Sequence, residues 1–205
     1  MKDGIVCEEH YEDIMFVLKD VNNANPDDVN DMRIDVQTSE NGGKTWFDVA
    51  SWTSALLDGV LIENVTHEIQ HEQLKRVEIM NLKKEAGTSR ANYKELKEAA
   101  RRDYKNILKE IEICAPKLIV ACSHDVFNIL CSVIFDINKS EYCNKICFTE
   151  RMHGYGLYCD ISKIIGADSP VYLVEYRHPG QCGRQGTREE HYKNMMRIRK
   201  LLLTN

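Results

Sequence analysis

Four short, largely apolar runs punctuate this chain: Ile14–Leu18, Val77–Met80, Lys117–Cys122 and Val171–Tyr176. Each has the length of a strand buried on both faces, and each is bounded by turn-forming or charged residues. The stretches between them are far too long for hairpins. Several repeat apolar residues at helical spacing, as Leu96, Ala100, Tyr104, Ile107, Leu108 and Ile111 do. Strands separated by helical crossovers pair in parallel. The expectation is a three-layer α/β/α domain over residues 1–205 around a central, mainly parallel four-stranded sheet.

The elements follow from local signals. Helices are expected over 47–58 (closed by Gly59), 60–73 (Val65 and Ile69 on one face), 91–113, 123–134 and 187–203. Pro116 stops the third of these. Residues 28–43 are polar and end in an Asn-Gly-Gly turn. Between 138 and 165 the pattern is weaker: Ile146–Phe148 reads as a short strand and Gly154–Gly156 as a turn or flexible loop.

Composition narrows the class. Of 205 residues, 43% are hydrophobic and 29% charged, which suits one soluble domain with a sizeable core. No apolar run is long enough for a membrane span, and the N-terminal residues lack the apolar segment of a signal peptide, so a cytoplasmic protein is expected. The eight cysteines form no C-x-x-C pair, and all are read as reduced thiols, with no metal and no cofactor. A net charge of -5 does not exclude nucleic acid, because cations gather locally at Lys83-Lys84, at Arg101-Arg102 and from Arg184 to Lys200.

In α/β sheets, ligands bind off the carboxyl ends of the strands. Three chemically useful residues fall there: Asp20 after the first run, Asn81 after the second, and His178 in Arg177-His178-Pro179-Gly180 after the fourth. Each alone has an ordinary explanation, as a turn cap or a turn residue. Together they suit a reaction on a base: a carboxylate to orient water, an amide that donates and accepts in one plane, and an imidazole donor.

Apolar strand then Asp20, apolar strand then Asn81, and a terminal His178-Pro179-Gly180 loop resemble, in order and spacing, the motifs of the uracil-DNA glycosylase superfamily. The resemblance spans residues 14 to about 200. It implies that fold, a monomer acting on DNA, and excision of a flipped base to leave an abasic site. It casts Asp20 and His178 as catalytic and Asn81 as the reader of the base. Trp46 or Phe47, in a segment ahead of a helix, would stack on the base. Lys83, Lys84, Arg184 and Arg188 would hold phosphates, helped by the amides that start the last helix.

Two departures matter. Uracil-specific members carry Gly-x-Asp-Pro-Tyr in the first motif, and the aromatic crowds C5 of the pyrimidine; here Val21-Asn22-Asn23-Ala24 follows Asp20. A base with a bulky C5 group becomes admissible, as in the bacterial phage-defence glycosylases that excise glucosylated 5-hydroxymethylcytosine. The N-terminal cysteine pair of the iron–sulfur members is also absent. Competing readings are a uracil-repair glycosylase, a nucleotide or nucleoside hydrolase, and a non-catalytic nucleic-acid-binding domain of the same fold.

Overall fold

The computed structural model describes residues 4–5, 8–19, 21–22, 43–84, 86–87, 92–148, 154–180 and 186–204. Nine strands are described: β1 (Gly4–Ile5), β2 (Ile14–Leu18), β3 (Val21–Asn22), β4 (Glu78–Asn81), β5 (Ala86–Gly87), β6 (Leu118–Cys122), β7 (Asn144–Cys147), β8 (Tyr155–Asp160) and β9 (Tyr172–Tyr176). The four expected runs are β2, β4, β6 and β9. They lie side by side in the order β4-β2-β6-β9, and every pair among these neighbours is parallel.

The sheet is larger and more mixed than four parallel strands. Among the described residues it has seven strands, ordered β1-β4-β2-β6-β9-β8-β7, with β1, β8 and β7 antiparallel to their neighbours. The Gly154–Gly156 segment, expected as a turn, leads into β8. Gly156 is there for a close approach: a Cβ would lie 2.6 Å from Phe148 Cε2 and 2.8 Å from the Glu175 carbonyl oxygen. Glycine reads as a turn signal, but here it lets two strands and a ring pack together.

Side chains of β2 alternate between two cores. Ile14, Phe16 and Leu18 face helix α1 (Lys44–Leu57), α2 (His67–Leu74) and the last helix; Met15 and Val17 face α3 (Tyr93–Arg102), α4 (Tyr104–Cys114) and α5 (His124–Ile129). All five β2 residues are buried. Two short helices, α6 (Lys139–Tyr142) and α7 (Ser162–Ile165), flank β7 and β8, and α8 (Arg188–Leu202) closes the chain. Helices thus cover both faces of the central strands.

Helix boundaries differ from the sequence pattern in three places. The first helix begins at Lys44, because the Gly43 carbonyl already accepts the amides of Trp46 and Phe47. The expected helix over 60–73 starts only at His67, where Thr66 caps the Ile69 amide at 3.3 Å. The expected single helix over 91–113 is two. The Asp103 amide closes α3 on the Ala99 carbonyl at 2.9 Å, while its own carbonyl accepts from Asn106 and Ile107. Leu96, Ala100, Ile107 and Ile111 all reach one core, so the apolar spacing runs through the break unmarked. Tyr104, at the break, is exposed.

After α5 the chain widens into a π-helical turn over Leu130–Ile134, with the Phe135 amide donating to the Leu130 carbonyl at 2.9 Å. Among the described residues no helix is long and apolar enough to cross a membrane.

Candidate active site

The carboxyl ends of β4, β2, β6 and β9 open at one edge. The register sets Asn81 level with Leu18, and Cys122 level with Tyr176. Lys19 follows β2, Ser123 and His124 follow β6, and Arg177 and His178 follow β9. Asn81 and His178 are therefore at the same edge. Asp20 and Arg184 lie outside the described residues; Lys19, immediately before Asp20, is at that edge as well.

The segments flanking Asp20 run beside the segment that follows Asn81. The Leu82 and Lys83 amides donate to the Leu18 and Lys19 carbonyls, both at 3.0 Å. Beyond them β3 pairs with β5 in parallel, Val21 opposite Ala86. Two of the three motif segments are thus joined by backbone pairing. The expected loop over 82–89 contains this short strand.

Asn81 is 1% exposed at the end of β4, so its side chain is set by the fold. In the third segment His178 Nδ1 contacts the Pro179 carbonyl; a carbonyl only accepts, so Nδ1 is the donor. The Gly180 amide donates to Asp48 Oδ2 at 2.7 Å. Gly180 has φ +87, and a Cβ there would lie 2.8 Å from Thr45 Oγ1. The His-Pro-Gly turn is thereby clamped onto the first turns of α1, next to Trp46 and Phe47. These aromatics sit inside the helix, not ahead of it. Trp46 packs on the core, and the Phe47 ring lies 5.4 Å from that of His67.

Beneath the clamp is a buried polar group with an aromatic surround. Tyr176 Oη and His191 Nδ1 are 2.8 Å apart, and Trp52 contacts both rings. Burial pushes the His191 pKa down, against the pull of the Asp48 carboxylate, so the ring is neutral at pH 7. Across the β2–β6 junction Lys19 pairs with Asp125 at 2.7 Å, and across the β6–β9 junction His124 contacts Glu175 at 2.7 Å.

The expected phosphate contacts are distributed unevenly. Lys84 is paired with Glu110 at 3.0 Å, both largely buried, so it is committed to α4. Lys83 is half-buried beside Lys19. Arg188 is exposed, and its Nη1 donates to the Glu63 carbonyl at 2.5 Å. The start of α8 is closed by a capping box: Thr187 Oγ1 accepts from the Glu190 amide and Glu190 Oε2 from the Thr187 amide. Two of the amides at the helix start expected as an anion site, those of Thr187 and Glu190, are thus taken up within the capping box, and Glu189 and Glu190 add negative charge to this turn.

Asp48, Thr45 and His191 were not among the expected site residues. Asp48 left one signal, an acid inside the otherwise uncharged helical run 45–57; an acid on a buried face needs a partner. Its partner, Gly180, is 132 residues away. No protein-family model matches the chain, and no curated protein does.

Proposed function

We propose that this protein is a DNA glycosylase of the uracil-DNA glycosylase type, hydrolysing the N-glycosidic bond of a modified pyrimidine. The observation that carries this reading is the convergence at one sheet edge of Asn81, the residues leading into Asp20, and a His178 turn clamped to the helix of Trp46 and Phe47. A base must leave the stack to enter such an edge.

In this reading Asn81 hydrogen-bonds the polar edge of the extruded base while Trp46 or Phe47 covers its face. The glycosidic bond breaks with oxocarbenium character in the sugar. Asp20 stabilises that charge and orients the water, which adds to C1′ as its proton passes to the Asp20 carboxylate. His178, with Nδ1 held by the Pro179 carbonyl, donates from Nε2 to the oxygen of the departing base, which requires the imidazolium form. Arg188, Arg184 and Lys83 contact phosphates. Lys84, already paired with Glu110, makes no such contact in this reading.

The substrate favoured is cytosine with a large C5 substituent, glucosylated 5-hydroxymethylcytosine first, with a role in defence against phage. The support is the sequence Val21-Asn22-Asn23-Ala24 in place of the aromatic wall. The test is to incubate the protein with DNA bearing the glucosylated base, uracil or only unmodified bases. Released bases are identified by mass spectrometry, and abasic sites by alkaline cleavage. Release of the glucosylated base is expected. Release of uracil alone would favour a repair enzyme, and release of nothing from bound DNA a binding module.

A further inference from the structure

Cys131, Cys143 and Cys159 come from three separate elements: the π-helical turn, the residue before β7, and β8. Their three sulfurs all lie within 4.8 Å of one another. Cys131 and Cys159 are fully buried, and Cys143 is half-buried. We propose that these three thiols form a structural site for a single thiophilic metal ion, zinc being the expected occupant.

The geometry favours one ion over other uses of three thiols. Zinc–thiolate bonds of about 2.3 Å in a tetrahedron place the sulfurs about 3.8 Å apart, so a small rotation of the thiols closes this group around an ion. A [4Fe–4S] cluster puts each ligating sulfur on a different iron and a [2Fe–2S] cluster divides three between two irons, so either needs a wider spread than this. The fourth ligand is a water entering beside Cys143, the member with exposure. Binding releases the thiol protons to solvent and leaves three thiolates on a divalent ion, a net charge of one minus.

The supporting backbone is fixed for the purpose. The π turn shifts Cys131 out of α-helical register, and the Ile137 amide donates to the Cys131 carbonyl at 2.7 Å, holding the turn in place. Cys159 lies opposite Leu173, near the amino end of β9. The group is therefore at the far edge of the sheet from Asn81 and His178. A metal there staples the antiparallel strands β7 and β8 to the helical layer, and takes no part in base excision.

The test uses the full, tag-free chain, reduced and loaded with zinc, then desalted. Elemental analysis should give one zinc per chain, and cobalt should give a sulfur-to-cobalt charge-transfer band. Chelation should lower the melting temperature. Cys143→Ser, at the half-buried position, should fold, lose the zinc and the cobalt band, and no longer respond to chelator. Cys147→Ser, at an exposed cysteine of β7, should behave as the parent does. Absence of bound zinc in the parent chain would overturn the proposal. So would unchanged zinc content in both Cys143→Ser and Cys159→Ser. If Cys159→Ser fails to fold, unchanged content in Cys143→Ser alone is decisive.

Discussion

The Asp48 carboxylate accepts the Gly180 amide at 2.7 Å, joining the second turn of α1 to the loop that follows β9. Asp48 is 3% exposed, so this charge-assisted bond is sheltered from water. It ties the turn that carries His178 to the aromatic turn of α1. Asp48→Ala should therefore cost about 1.5–3 kcal/mol of stability. It should also lower base release more than binding. Asp48→Asn, which still offers an oxygen, should be milder on both counts. Melting curves and single-turnover base release read the two effects, and an unchanged release rate in Asp48→Ala would remove the clamp from the reaction.

Gly180→Ala is expected to be destabilising for two separable reasons. Its φ of +87 is unfavourable for a side chain, and the new Cβ meets Thr45 Oγ1 at 2.8 Å. The loss should be about 1–3 kcal/mol. Adding Thr45→Ala should recover the contact part but leave the backbone part. Denaturant unfolding of the single and double variants measures the split; full recovery in the double variant would show that the backbone carries no strain.

His191 predicts how stability depends on pH. Its folded pKa is lowered by burial, so below the unfolded value of about 6.5 the unfolded chain binds the proton that the folded chain refuses. The contribution is fully present above that value and is lost as pH falls from it toward the folded pKa. The melting temperature should drop across this interval, and His191→Gln should flatten the drop. An identical pH profile in the variant would assign the titration to another group.

On the proposed reaction, Asp20→Ala should abolish alkali-sensitive sites in substrate DNA while leaving DNA binding intact, because in that reading the carboxylate acts mainly on the transition state. His178→Ala should reduce base release by about 10²–10³, the cost of one lost oxyanion donor. Loss of binding in parallel with activity in both variants would point to a structural role at this edge.

Arg188→Ala should weaken DNA binding and reduce the slope of log affinity against log salt by about one unit, one phosphate contact. Lys84→Ala should leave the slope unchanged and lower stability instead, since Lys84 is paired with Glu110. Binding titrations at several salt concentrations distinguish these outcomes, and equal slopes in the parent and Arg188→Ala would take Arg188 off the DNA.

The four parallel strands were legible in the sequence because burial on both faces leaves continuous apolar runs, a local signal that survives in one dimension. The same signal placed Asn81 and His178 at strand ends, and the start of the last helix near residue 187 was legible as well. Periodicity could not show the break at Asp103, since both helices bury residues in one core. Nor could it show that Gly156 lies within β8, where glycine serves close packing in place of a turn. The clamp of Asp48 on Gly180, the withdrawal of Lys84 to Glu110 and the meeting of Cys131, Cys143 and Cys159 belong to tertiary structure alone. These contacts join residues remote in the chain, and hydrogen-bond, charge and sulfur geometry depend on distance in space, which no local pattern encodes.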